Sequence, residues 1–183
     1  MPEPRAVHLT LILRKNEQGE QHPLYTLLDE LVAAFHDELV EANVGLAYND
    51  NWKEDGDGHL RLGEMHVATD LERELNTYDL IITLNEPALA DLSIDQTKAL
   101  LDHELSHAVR ALDSHLEPIV DERGRAVYRT KKHDLEEFRD IVKRYGCWKG
   151  DIEAFVMALN EGRRKNKEQS APASTNTESS TLQ

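Results

Sequence analysis

His103-Glu104-Leu105-Ser106-His107 is the segment of this 183-residue chain around which the other features can be organised, and it fits the pattern HExxH. On a helix, residues four positions apart lie on one face, so His103 and His107 point the same way and can hold one metal ion. Glu104 lies beside them, where a carboxylate can take a proton from a metal-activated water. The pattern therefore predicts a zinc-dependent hydrolase with Glu104 as its general base.

The residues around this motif predict the helix that it needs. Ser93 is a favourable N-cap, and Gln96 three residues later completes a capping box. Both histidines would project from a second, semi-apolar face, as a metal cleft requires, whereas a solvated helix with two surface histidines is the competing interpretation. The apolar stripe predicted for the buried face consists of Ile94, Leu101, Leu105, Ala108 and Leu112.

A catalytic zinc site usually has three protein ligands, so a third is expected outside the motif. Asp113 stands where an extended HExxHxxGxxH pattern has its third histidine, but it would face away unless the helix broke. We favour His133, a neutral imidazole at the start of a predicted helix, as the third ligand. Glu137, one turn later, is the second candidate or an outer partner of a ligand. Asp134 is a weaker candidate, better suited to capping the helix.

The composition restricts the classes of function. The chain has 21 basic and 35 acidic residues, a net charge of −14, which disfavours binding to nucleic acid. A single cysteine excludes an intramolecular disulfide and fits a reducing compartment. The apolar stretches are too short to span a bilayer, and residues 1–13 lack the apolar core of a signal peptide. We expect a cytoplasmic protein without membrane association, and the sequence makes no prediction of oligomeric state.

The order of the predicted elements indicates an α+β class, because most strands precede most helices. We expect one domain over residues 1–163 and a disordered polar tail over 164–183, which is almost without apolar residues. The predicted strands are 6–13, 44–48, 59–68 and 78–84. Besides the helix of the His103–His107 motif, one predicted helix begins at Pro23, and three others cover 70–75, 134–145 and 151–162. A predicted hairpin over 118–130 turns at 121–124.

Five segments of the chain occur in a characteristic order: 79–85, 101–107, 121–125, 132–138 and 146–148. With these segments the chain resembles the putative phage metallopeptidase family. The resemblance covers about residues 5–160 and implies a zincin-like fold, a metal ion, and hydrolysis of a peptide or protein substrate. The second half is also similar to SprT-type metalloproteases, in which a histidine shortly before an aromatic residue supplies the third ligand. That position corresponds to His133 before Phe138, with a spacing one residue longer than expected, which keeps Glu137 as an alternative.

Together these observations predict an α+β, zincin-like domain with a mostly antiparallel sheet packed on helices and one zinc ion per chain. The predicted site is Glu104 as base with His103, His107 and His133 as ligands. The strand at 78–84 could bind an extended substrate by adding a strand, and Tyr128 or Tyr145 could stabilise the oxyanion. Two other functions compete: a non-catalytic, metal-stabilised or metal-free protein that binds a host factor, and a protease with one dedicated target.

Overall fold

The computed structural model describes residues 8–169, and its contacts divide the chain into two units, Met1–Lys132 and His133–Gln183. Among the described residues, the first unit holds a four-stranded sheet, four α-helices and a small hairpin. The described part of the second unit holds two helices. The organisation predicted from the sequence, one domain over 1–163, stays a prediction.

The sheet of the first unit has the strand order β1-β2-β4-β3. β1 pairs with β2 and β3 pairs with β4 in antiparallel fashion, whereas β2 and β4 are parallel. Two of the three pairings are thus antiparallel, and the prediction of a mostly antiparallel sheet is confirmed. The strands are β1 at Leu9–Ile12, β2 at Val44–Asn49, β3 at Gly63–Val67 and β4 at Leu80–Asn85.

Strands β1 and β3 are shorter than the sequence predicts. The strand predicted over 6–13 covers Leu9–Ile12, with residues 6 and 7 outside the described part of the chain. The strand predicted over 59–68 begins only at Gly63, because the preceding loop is held by its own hydrogen bonds. There the carboxylate of Asp55 accepts the backbone N–H groups of Asp57 and His59, at 2.9 Å each.

Helix α1 (Pro23–Phe35) begins at the predicted proline and supplies much of the core. Leu28 and Leu31 are almost fully buried, as the helical spacing predicts. Phe35, however, is 67% exposed, so its assignment to the core face is wrong. The helix ends at this residue, and a 3-10 turn, Asp37–Leu39, then carries Leu39 into the core instead.

Helices α2 (Asp70–Asn76) and α3 (Glu86–Leu89) lie on either side of β4 in the chain, and α4 (Ile94–Ser106) follows them. The predicted capping box of α4 is present: Ser93 Oγ accepts from Gln96 N at 3.2 Å, and Gln96 Oε1 accepts from Ser93 N at 2.9 Å. Leu101 and Leu105 are fully buried, but Ile94 is 65% exposed.

The helix predicted to continue through Leu112 instead ends at Ser106. Strand β5 (Ala108–Arg110) follows at once and pairs with β6 (Tyr128–Thr130). No glycine ends the helix; tertiary pairing does, because the carbonyl of His107 accepts a hydrogen bond from Lys131 N at 2.7 Å. The predicted turn is confirmed, with Gly124 at φ +74° and its N–H bonded to the carbonyl of Asp121.

The second unit contains α5 (Arg139–Tyr145) and α6 (Gly150–Gln169). α5 begins five residues later than predicted, and Gly146 at φ +64° ends it, as expected. α6 continues past the predicted end at Gly162 and includes residues 164–169 of the expected polar tail. The rest of that tail, 170–183, lies outside the described residues. Within residues 8–169, no helix is long and apolar enough to cross a membrane.

Candidate functional site

Helix α4 presents His103 and His107 to each other at its C-terminal end. Their Nε2 atoms are 3.3 Å apart, and the ring centroids lie 5.0 Å apart with an interplanar angle of 83°. The four-residue spacing thus brings the two imidazoles together, as the sequence predicted. His103 is exposed and His107 is partly buried, so both nitrogens lie near the surface of the unit.

The distance between the two nitrogens suits a shared metal ion. Zinc–imidazole bonds are about 2.0–2.1 Å long, and two of them at a tetrahedral angle place their nitrogens about 3.3 Å apart. The observed 3.3 Å between the Nε2 atoms of His103 and His107 matches this value. Imidazole nitrogen is also a common zinc ligand in proteins. The residues present therefore fit a zinc ion.

The ring of His107 is held by the hairpin that follows the helix. Its Nδ1 lies 2.8 Å from the carbonyl oxygen of Lys131, which can only accept, so Nδ1 carries the hydrogen. In the neutral imidazole the lone pair is then on Nε2, the atom that faces His103. A backbone carbonyl of this kind is a usual partner of a metal-binding histidine.

The environment of His103 favours a neutral ring. Burial lowers the pKa of His103 below its ordinary value of 6.5, and the neighbouring charge of His107 lowers it further. A metal ligand must be unprotonated, so a depressed pKa reduces competition between protons and the metal. His103 is therefore prepared for ligation at neutral pH.

Glu104 lies between these histidines in sequence but points into the protein. It is only 4% exposed, next to Leu105 in the buried part of α4. Its carboxylate reaches the backbone of Gly63 on β3, a strand at the edge of the sheet. The side chain is thus confined, and a confined carboxylate has a defined position from which to exchange a proton.

A second histidine contact on α4 was missed by the sequence analysis. Nε2 of His36 lies 2.7 Å from Oδ1 of Asp102, the residue before His103, and His36 is 6% exposed. The two residues are 66 positions apart, so no local spacing indicates their contact. This hydrogen bond connects the end of α1 to the part of α4 that carries the motif.

His133, the favoured third ligand, is the first residue of the second unit and is exposed. The helix that it was predicted to begin starts at Arg139, so Glu137 is not one helical turn beyond it. Glu137 has partners of its own: Oε2 lies 3.6 Å from Nζ of Lys149, and Oε1 accepts from Phe138 N at 2.9 Å. The assignment of the third ligand stays a prediction.

The remaining acidic candidates are occupied otherwise or are exposed. Oδ1 of Asp113 accepts the backbone N–H groups of His115 and Glu117, at 2.8 and 3.0 Å, and so closes a turn after β5. Asp134 is exposed in the segment before α5. Asp113 therefore serves local structure, even though the helix break that could have freed it does occur.

The two tyrosines named for oxyanion stabilisation are in different situations. Tyr128 is 5% exposed and its hydroxyl oxygen is buried, which raises the pKa of the phenol. Among the described residues, no contact places this hydroxyl near the two histidines, so the role of Tyr128 stays a prediction. Tyr145 is 68% exposed on α5, and its role stays a prediction.

Comparison with known proteins identifies the family. The profile of the putative phage metallopeptidase family matches residues 19–160, most of the chain. The chain belongs to this family. The match confirms the resemblance read from the motifs and, with the observed elements, the α+β zincin-like class; the likeness of the second half to SprT-type enzymes stays a prediction. Membership supports a metal-dependent peptidase that acts on peptides or proteins. No curated protein and no solved structure matches the chain.

Proposed function

We propose that the protein is a zinc metallopeptidase. The observation that carries the proposal is the pair of Nε2 atoms on His103 and His107, 3.3 Å apart, on the helix that also carries the buried side chain of Glu104. Family membership agrees with this chemistry. We further propose that the protein acts in the cytoplasm, because its single cysteine suits a reducing compartment.

Three side chains would carry the reaction. His103 and His107 would hold the metal through Nε2, and Glu104 would act as general base. When bound, zinc would lower the pKa of a coordinated water towards ~7 and polarise the substrate carbonyl. Glu104 accepts the proton of the attacking water, and then returns it to the nitrogen of the leaving amine as the peptide bond breaks. Its burial keeps the carboxylate in place for both transfers.

His133 is proposed as the third ligand on chain reach and chemistry. Lys131 is fixed to His107 by two hydrogen bonds, from its N–H to the carbonyl and from the ring to its own carbonyl. Two residues of chain span at most about 7 Å, so His133 cannot be far from this point. Glu137 is a weaker candidate, because its carboxylate already faces Lys149 within the second unit.

An extended substrate cannot pair with β4, the strand for which the sequence suggested this role. β4 lies inside the sheet, paired with β2 on one side and β3 on the other, so the suggestion of strand addition at 78–84 is wrong. β3, in contrast, is one of the two edge strands of the sheet. Leu62 and Ala68 bond to the β4 side, so by alternation the peptide groups of Gly63 and Met65 point to the outer edge. We propose that an extended peptide pairs there, next to Glu104.

Hydrolysis of a denatured protein, with zinc supplied, tests the proposal. We expect cleavage by the wild type, and no cleavage by Glu104→Gln, although this variant keeps the metal and the fold. The amide is nearly the same size as the carboxylate but cannot accept the proton. Equal cleavage by both proteins would refute Glu104 as base. Zinc binding without any cleavage, in host lysate as well, would favour a non-catalytic interaction protein.

A further inference from the structure

Gly63 on β3 lies directly against the carboxylate of Glu104. A methyl group on Gly63 would be 2.6 Å from Oε1 of Glu104 and 3.0 Å from both its Cδ and its Cγ. Favourable contacts between carbon atoms are about 3.5–4.0 Å. Any side chain at position 63 would therefore displace most of the Glu104 side chain, from Cγ outward.

Backbone conformation does not require glycine at this position. Gly63 is in regular antiparallel register with Leu84, and it is not among the glycines with positive φ. Glycine within a strand costs roughly 0.5–1 kcal/mol relative to alanine, and it often marks a close approach. What glycine supplies at position 63 is space for Glu104.

The backbone of Glu104 cannot move aside to relieve a crowded side chain. α4 is held by its capping box at one end and by the buried side chains of Leu101 and Leu105 along its length. A methyl group at position 63 would therefore be accommodated by rotation of the Glu104 side chain. That rotation would carry the carboxylate away from its place against the backbone of Gly63.

We propose that Gly63 is a positioning residue: the absence of a side chain there fixes the carboxylate of Glu104 for proton transfer. This inference rests on the proposed function for its catalytic consequence. The packing of Gly63 against Glu104 can be tested without any catalytic activity. The two remaining glycines without positive φ in the first unit offer matched controls.

The controls separate three effects of a glycine-to-alanine change. A methyl group on Gly56 meets no atom within 4 Å, so Gly56→Ala reports the general effect of alanine. A methyl group on Gly45 would lie 2.6 Å from Cδ2 of Tyr78, so Gly45→Ala reports an equally close clash that does not involve Glu104. Only Gly63→Ala combines a clash with the proposed base.

The first experiment is a double-mutant cycle on the metal-free protein, followed by urea unfolding. We expect Gly63→Ala to raise the unfolding equilibrium constant about tenfold when Glu104 is present, as overpacking does, and to have little effect in a Glu104→Ala background. Gly45→Ala should destabilise both backgrounds equally. An effect of Gly63→Ala that is the same in both backgrounds would overturn the proposed packing.

The second experiment measures peptide hydrolysis and zinc affinity. For Gly63→Ala we expect kcat to fall at least tenfold, with KM and zinc affinity within about twofold of wild type, because only the proton transfer is disturbed. Gly45→Ala and Gly56→Ala should keep kcat. An unchanged kcat in Gly63→Ala would overturn the positioning role. If the wild type itself hydrolyses nothing, the proposed function fails, while the unfolding cycle still decides whether Gly63 positions Glu104.

Discussion

Lys131 binds His107 twice through its backbone. Its N–H donates to the carbonyl of His107 at 2.7 Å, and its carbonyl accepts from Nδ1 of the His107 ring at 2.8 Å. The first bond ends α4 and starts the hairpin, and the second fixes the tautomer of the ring. One residue therefore determines both where the helix ends and which nitrogen of its last histidine is available.

The first prediction concerns metal content. Purified wild type should carry about one zinc per chain, and His103→Ala or His107→Ala should abolish it, because each removes one of two nitrogens at ligand distance. Metal analysis by mass spectrometry checks this. His115→Ala, at an exposed histidine after β5, is the control and should retain the zinc. Wild type without zinc, even after its addition, would contradict the enzyme interpretation.

The second prediction concerns the bond between His36 and Asp102. His36→Ala should destabilise the protein by about 1–3 kcal/mol, because the buried His36 loses its hydrogen bond to a half-buried carboxylate. Urea unfolding measures the change. His8→Ala is the control: Nδ1 of His8 also lies 2.8 Å from a carboxylate, that of Asp50, but His8 is half-buried and Asp50 is exposed, so the cost should stay below about 1 kcal/mol. Equal effects would show that burial of His36 adds nothing.

The third prediction concerns Asp121, in the turn before β6. Its carboxylate accepts hydrogen bonds from the backbone N–H of Arg125, from the Arg125 side chain and from the backbone N–H of Arg123. These bonds lower the pKa of Asp121 from 3.8 to about 2. Because the pKa is lower in the folded than in the unfolded state, the ionised carboxylate stabilises the fold at pH values above the unfolded-state pKa. This stabilisation is lost as pH falls from about 4 to about 2. Carboxyl NMR should give a midpoint near 2.

Acid unfolding provides a second test of this group. Between pH 4 and pH 2 the stability of wild type should fall more steeply than that of Asp121→Asn, which cannot take up the proton. Asp95→Asn, at the exposed start of α4, is the control for the substitution itself. An Asp121 midpoint near 4 would show that the turn does not hold its carboxylate.

Local sequence signals predicted the elements whose determinants are local. Pro23 starts α1, the Ser93–Gln96 capping box starts α4, and Gly146 ends α5, all as expected. The end of α4 was predicted wrongly, since the residues after Ser106 pair with β6, and Lys131 N bonds to the carbonyl of His107. Helical periodicity does not register such a competitor, and Ala108 fits a helix stripe and a strand equally well.

In the candidate site, too, the local contacts could be predicted from the sequence and the long-range contacts could not. The spacing of His103 and His107 on one helix sufficed to predict that their nitrogens meet. The contacts of Glu104 with Gly63 and of Asp102 with His36 join distant parts of the chain, and no periodicity indicates them. A glycine inside a predicted strand was the one available signal, since such glycines often mark a close approach.

The last prediction concerns the third ligand. We expect His133→Ala to lower zinc affinity far more than Glu137→Ala, because loss of an outer partner typically costs ~10–100-fold and a direct ligand more. Glu137 instead pairs with Lys149, so its removal should mainly affect the second unit. Competitive titration against a chromogenic chelator, with folding checked by circular dichroism, measures both variants, and Glu136→Ala at an exposed position is the control. Should Glu137→Ala lose the metal while His133→Ala keeps it, the site would be His-His-Glu, and the similarity to SprT-type enzymes would not extend to the metal.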